Sequence, residues 1–283
     1  MKSLITQTLI QLALEEDIGS GDITTKALVN ADAKGKATII AKENLIIAGL
    51  ELVNIVYQRL SPSIQCFLKC MDGDELSVGQ KVCEICGPLC TLLEGERTAL
   101  NFLQRLSGIA TQTRRYVKAL NRSTPLIVDT RKTLPGWRRL EKMAVRIGGA
   151  MNHRMGLYDG VLIKDNHITV SGGIKPAITK IRKQVSHLTK IEVEVENFDQ
   201  LQQALAAKAD VIMLDNMNSD DIRKAVQQIK GQALVEVSGG ITLDRIQELA
   251  DSGVDIISIG ALTHSAQAVD LSMEIVSEDY AIV

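Results

Sequence analysis

Six short apolar runs in the second half of the chain, 126–128, 161–163, 191–195, 211–214, 233–237 and 256–259, each end in polar or glycine-rich residues. Between them the apolar residues fall at helical spacing, which predicts helices over 138–147, 174–185, 199–208, 220–229 and 243–251. Strands that alternate with helices are joined by right-handed crossovers and form a parallel sheet. Polar groups at the C-terminal ends of such strands are where α/β proteins keep their chemistry. Six strands are fewer than the eight of a closed barrel, so either the barrel is incomplete or two strands escape the pattern.

The first part of the chain reads differently. A helix is expected over 4–16, then a glycine-punctuated acidic loop over 17–22, strands over 36–41, 64–70 and 80–86, and a helix over 51–60 that stops before Pro62. This is a mixed α+β pattern. Residues 92–120 form a long helical connector, expected to break near Gly108. The resulting expectation is α/β throughout, with a first domain over 1–110, a barrel domain over 111–267 and a tail, 268–283, that returns to the first domain.

Charge and composition exclude several functions. With 32 basic and 34 acidic side chains and a net charge of −2, no global field draws nucleic acid, and any attraction for anions is local. Three Phe, four Tyr and one Trp leave little for base stacking. No apolar stretch reaches the roughly 18 residues that span a bilayer, and the first 16 residues read as an amphipathic helix, not a signal peptide. All five cysteines lie between Cys66 and Cys90, and the odd count with no secretion signal points to the cytoplasm. Cys83 and Cys86 have the spacing of a zinc knuckle, but they sit in an alternating strand with no histidine nearby, which favours buried thiols over a metal.

The strand ends carry three kinds of residue. Thr130, Arg131 and Lys132, then His153 and Arg154, then Lys164 gather positive charge on the first two strand ends and their connection. Singly these are ordinary solvated charges; as a set they ask for an anion, with Arg giving a planar fork and Lys a movable point charge. Glu192, Glu194 and Glu196 alternate with valines and share one face of their strand, either a solvated edge or a buried acidic interior that demands cations, a metal or a shared proton. Glu194, with Asp215 at the end of the next strand, suits Mg2+ or the hydroxyls of a diol, although Asp215-Asn216 is also an ordinary helix start. Ser238, Gly239 and Gly240 open onto a helix expected near Thr242, and Ile259, Gly260 and Ala261 with His264 repeat the device. Such glycines let backbone N–H groups cradle a phosphate. No dinucleotide fingerprint, Walker loop or nucleophile elbow is present.

Taken together, these residues resemble the quinolinate phosphoribosyltransferase family, whose members are decarboxylating enzymes that make nicotinate mononucleotide. The likeness runs over nearly the whole chain and rests on Glu16-Asp17-Ile18-Gly19-Ser20-Gly21-Asp22, Gly95-Glu96-Arg97-Thr98, Asp129-Thr130-Arg131-Lys132-Thr133, Asn152-His153-Arg154-Met155-Gly156 and Leu162-Ile163-Lys164-Asp165-Asn166-His167. It implies an N-terminal open α/β sandwich joined to an incomplete, roughly six-stranded parallel α/β barrel. It further implies that Arg131, His153 and Arg154 hold the two carboxylates of quinolinate, and that Lys132 and Lys164 face substrate anions including pyrophosphate. Glu194 and Asp215 would meet the ribose hydroxyls and Mg2+, and Ser238 to Gly240 with Ile259 to Ala261 and His264 the 5′-phosphate of phosphoribosyl pyrophosphate. Arg97 would reach the site of a second subunit, making a homodimer the minimal active unit, on which larger assemblies can build. The rivals are a relative that acts on another ring acid such as nicotinate, a molybdenum-associated paralogue, and a catalytically silent barrel that binds a sugar phosphate.

Overall fold

The computed structural model describes residues 3–277. They group into two units: the first holds the described residues up to Arg114, Thr133–Gly149 and those from Ser265 onward, and the second holds Arg115–Lys132 and Ala150–His264.

The chain opens with α1 (Leu4–Ile18), which starts where the Ser3 side chain accepts the Thr6 N–H at 3.3 Å and ends at Gly19 with φ 53°. Thr6, Ile10 and Leu14, spaced by four, form its buried stripe. A second helix, α2 (Ile23–Leu28), follows directly because Asp22 accepts the Thr25 N–H at 3.0 Å, a capping signal in the acidic loop. Then come β1 (Lys34–Ala41), β2 (Leu45–Ile46), α3 (Leu50–Leu60), β3 (Gln65–Leu68), β4 (Glu75–Leu76), β5 (Lys81–Pro88) and α4 (Leu89–Leu120). The remainder runs β6 (Leu126–Val128), α5 (Arg138–Gly148), β7 (Val161–Ile163), α6 (Asp165–Ser171), α7 (Ile174–Arg182), β8 (Ile191–Val195), α8 (Phe198–Ala206), β9 (Val211–Asp215), α9 (Ser219–Ile229), β10 (Leu234–Ser238), α10 (Ile246–Ala250), β11 (Ile256–Ser258), α11 (Ala261–His264) and β12 (Leu271–Ser277).

The expected break in α4 does not occur: the helix is continuous through Gly108. A Cβ there would lie 2.0 Å from the carbonyl oxygen of Gln267, so the glycine makes room for a second backbone. In the first unit β12, β1, β5 and β3 form an antiparallel sheet, and β2 pairs with β4. β12 belongs to the tail expected to return to this domain and pairs with β1 from Ala41↔Leu271 to Gly35↔Ser277; residues 278–283 lie outside the described residues. Residues 133–149, expected in the barrel, group instead with the first unit. The reason is α5: the fully buried Glu141 takes the Arg105 guanidinium at 2.7 Å, and Arg114 donates to the Gly148 carbonyl at 2.9 Å, both arginines coming from α4.

Cys83 is buried on β5, and burial pushes its thiol up to about 12. Burial likewise pushes Cys66 and Cys70 up to about 11, and all five thiols are free. Cys83 and Cys86 stand three apart on one strand and so project from opposite faces.

The second unit is a parallel six-stranded sheet in the order β6-β11-β10-β9-β8-β7. β6 and β7 are its two ends, so it is an incomplete barrel, open between the first strand and the second. Each strand alternates: Val193, Val195, Ile212, Leu214, Val235, Val237 and Ile257 are buried, and each contributes about 1.5–3 kcal/mol by leaving water. The residues between them point to the barrel interior. β8 pairs with neighbours on both sides, so the solvated-edge reading of the glutamate trio does not hold. Glu192 is buried and Glu194 half-buried inside, while Glu196 lies past the strand end, exposed. Among the described residues no helix is long and apolar enough to cross a membrane.

Candidate active site

The C-terminal ends of the barrel strands surround a cavity of about 610 Å3. β6 delivers Thr130, Arg131 and Lys132 to its wall, the segment before β7 brings His153 and Arg154, and β7 ends at Lys164. β8 contributes Glu194, β9 Asp215, and β10 releases into Ser238, Gly239 and Gly240. Ile259, Gly260, Ala261 and His264 close the circle after β11. Every expected barrel residue therefore lines one cavity. Arg97 does not: it lies exposed on α4 in the first unit.

Asp129 organises the cationic side. Fully buried at the end of β6, it accepts the Asn152 amide at 2.6 Å and the His153 backbone N–H at 2.9 Å, which anchors the segment carrying His153 and Arg154. Arg154 donates to the Gly160 carbonyl at 2.9 Å, and Asp159 accepts the N–H groups of Met155 and Gly156 at 2.7 and 2.9 Å. Burial, and then the neighbouring Arg131 charge, lower the Arg154 guanidinium from its usual value. Two arginines that face each other in this way call for an anion between them.

His153 is held at both ring nitrogens. Its Nδ1 accepts the Arg154 N–H at 2.8 Å, which leaves the proton on Nε2, and that nitrogen lies 3.1 Å from Glu192 Oε2 and 3.6 Å from Glu236 Oε1. The ring thus borders the cavity while its N–H points beneath the cavity floor. Lys164 pairs with Glu194, and its backbone N–H is accepted by His167 Nδ1 at 3.0 Å as α6 begins.

On the opposite side the backbone is the functional surface. Gly239 has φ 92°, and a Cβ there would meet Asn216 Oδ1 at 2.1 Å; Gly240 has φ 58° with open space around it. The expected helix near Thr242 begins instead as a single 3-10 turn, Leu243–Arg245, before α10. What faces the cavity is therefore a glycine loop rather than a helix end. A Cβ on Gly260 would crowd Lys132 Cδ at 3.0 Å and His264 Nε2 at 3.1 Å, and Thr263 Oγ1 donates to the Lys132 carbonyl at 2.8 Å. The cationic loop and the glycine loop are thereby fastened together.

Sequence reasoning passed over Asp129, Asn216 and Glu236. Asn216 has a positive φ of 54° and donates to Asp215 Oδ2 at 2.7 Å, and the only signal for it was its place after a strand. Glu236 sits in the middle of the apolar run 233–237, two residues before Ser238, and that period of two was a visible signal for an inward-facing acid.

Comparison with known proteins agrees with this fold. Residues 109–274 match the C-terminal domain family of quinolinate phosphoribosyl transferase, and residues 22–107 match its N-terminal domain family. A probable nicotinate-nucleotide pyrophosphorylase [carboxylating] of Bacillus subtilis is 44% identical over 275 residues, covering 97% of this chain and 95% of the relative. The crystal structure of NadC from Streptococcus pyogenes superposes with a TM-score of 0.93 at 38% identity, covering 98% of both chains. The nicotinate-nucleotide pyrophosphorylase from Francisella tularensis gives a TM-score of 0.91 at 43% identity, covering 96% of both.

Proposed function

The chain belongs to the quinolinate phosphoribosyltransferase family, and from that premise we propose how its cavity carries out the family's reaction. It is a phosphoribosyltransferase of NAD biosynthesis, joining quinolinate to phosphoribosyl pyrophosphate and releasing pyrophosphate and CO2 to give nicotinate mononucleotide. The observation that supports the residue assignment is the convergence of paired arginines, inward acids and a glycine loop on one cavity.

Arg131 and Arg154 take the two carboxylates of quinolinate as planar anions, with the His153 ring as wall. Gly239 and Gly240, with Ser238 and the Ile259 to Ala261 turn, receive the 5′-phosphate on backbone N–H groups, and His264 closes over it. Glu194 and Asp215 face the ribose, where their charge stabilises the positive ring that develops as pyrophosphate leaves C1. Lys132 and Lys164 meet the departing anion, and Lys164 is already placed by its pairing with Glu194.

Glu194 and Asp215 are half-buried oxygen donors on adjacent strands, and that donor set suits Mg2+. They would hold the ion together with substrate oxygens, and when bound it supplies charge to neutralise the pyrophosphate. The pyridine nitrogen bonds to C1 as the bond to pyrophosphate breaks. The quaternary ring then accepts the electron pair left at its C2 carbon when the adjacent carboxylate departs as CO2, and a proton takes its place there. The arginines orient the carboxylate for that loss.

We assign Arg97 to the site of a second copy, so that the active unit is a homodimer, and place the protein in the cytoplasm on its odd set of free thiols. The direct test is to incubate pure protein with quinolinate, phosphoribosyl pyrophosphate and Mg2+ and to measure CO2 and nicotinate mononucleotide. Turnover of nicotinate with none of quinolinate would overturn the substrate assignment.

A further inference from the structure

One layer below the cavity the barrel interior holds two carboxyl groups that the reaction above does not use. Glu192 on β8 and Glu236 on β10 each stand two residues before a cavity residue, Glu194 and Ser238 respectively, so they point the same way one step deeper. They are 7% and 2% exposed. Their ligand atoms and that of His153 lie within 4.8 Å of one another, and Oε1 of each glutamate is buried without a hydrogen-bond partner. Two carboxylates this close and this dry cannot both stay charged, since burying an unpaired carboxylate costs several kcal/mol and like charges add to it.

We propose that Glu236 is a positioning residue for the ring acid: with a proton kept on its carboxyl group it steadies Glu192, and through Glu192 the Nε2–H of His153, and spares the bound dianion a second negative charge beneath it. The inference rests on the reading that this cavity takes quinolinate.

The surroundings of Glu236 support it. From β8 it faces Glu192, from the segment after Met151 it faces His153, from β11 the Ser258 hydroxyl, and from its partner β9 the neutral Met213. Asp129 is turned away, to the Asn152 amide and the His153 backbone N–H. Arg154 acts on the Glu192 side. Burial first, then the Glu192 charge, push the Glu236 carboxyl up to about 8, against the smaller opposing pull of His153. At neutral pH Glu236 therefore keeps its proton, and above about 8 it loses it.

The consequence is a pH dependence of quinolinate affinity that belongs to one side chain. A site that binds only with Glu236 protonated loses about tenfold in affinity between pH 7 and pH 9. Calorimetric titration of quinolinate into the wild-type protein and into Glu236→Gln, which keeps the neutral form at every pH, reads this directly. Wild type is expected to weaken about tenfold over that interval and the variant by less than about twofold, while the KM for phosphoribosyl pyrophosphate follows one pH profile in both. Equal weakening of both proteins overturns the proposal.

Should the variant not fold, wild type alone decides. At pH 8.5, titrations in two buffers of different ionisation enthalpy should show more than about half a proton taken up per quinolinate bound, and no uptake overturns the proposal. Quinolinate affinity that falls on chelator treatment in wild type but not in Glu236→Gln, with no pyrophosphate substrate present, would mean a divalent cation sits where the proton is assigned, and also overturns it. Absence of quinolinate binding at pH 7 would sink the substrate reading instead, and this inference with it.

Discussion

Glu84 on β5 and Glu236 on β10 both stand in mid-strand between apolar neighbours, yet the first is held down to about 2 and the second is pushed up to about 8. Lys69 at 2.8 Å, Lys36 at 2.9 Å and Lys81 at 3.3 Å surround Glu84, because the antiparallel sheet of the first unit leaves one face open to side chains that also reach water. β10 has no such face: its outer side is packed under helices and its inner side looks into the barrel. A charged residue on the first sheet therefore solves its own solvation locally, whereas one in the barrel imposes its cost on the site above it. On this view substitutions in the second unit should register in ligand affinity, and substitutions in the first unit in melting temperature.

The largest effect expected is Arg131→Ala, which should weaken quinolinate binding by about 3 kcal/mol, roughly 150-fold, with the melting temperature within a degree or so of wild type. Unchanged affinity by calorimetry would break the comparison at its strongest point. Next is Gly108→Ala in the first unit. The added methyl meets the Gln267 backbone, so a loss of about 2–3 kcal/mol and several degrees in Tm is expected, with quinolinate affinity of the folded fraction unchanged.

Gly239→Ala should raise the KM for phosphoribosyl pyrophosphate about tenfold, since a side chain at its positive φ strains the phosphate loop by about 1–2 kcal/mol; a rise confined to quinolinate would misplace the phosphate. The smallest effect is Glu84→Gln, a modest, salt-sensitive drop in Tm at pH 7. The Glu84 carboxyl is lowered in the folded protein, so its contribution is present above its ordinary value of 4.5 and is lost as pH falls toward about 2. Wild type and variant should therefore melt alike at pH 2. A gap that persisted there would show that packing, and not charge, sets its role.

The barrel was legible because its strands are short apolar runs with chemistry at their ends, and the sheet uses those same runs. The cavity residues followed for the same reason. Less visible were effects decided by a distant partner. Gly108 reads as a helix breaker until Gln267 is seen against it, and residues 133–149 read as barrel until Glu141 is found holding Arg105. Asp129 looked like one more loop acid, and only the fold turned it toward Asn152 and His153. Glu236 showed itself only through the period of two, since a single acid in an apolar run is outvoted in any average over the window. The glycine loop was expected to borrow a helix end, but the α-helix starts only at Ile246.

The gap between β6 and β7 divides the labour of the cavity. The glycine loop hangs from β10, which is bonded along both edges by β9 and β11, and such backbone opens only when the sheet itself does. Met151, just ahead of His153 and Arg154, bridges Val128 at the β6 edge, and the buried Asp129 carboxylate holds the Asn152 amide and the His153 N–H, so that stretch is fastened largely through side chains. Amide exchange should therefore be slow through β9 and β10 whatever the side chain at 129, whereas Asp129→Asn should speed it around residues 150–155. One rim of the cavity thus hangs from sheet backbone and the facing rim from a buried carboxylate, so a single substitution can loosen the second but not the first.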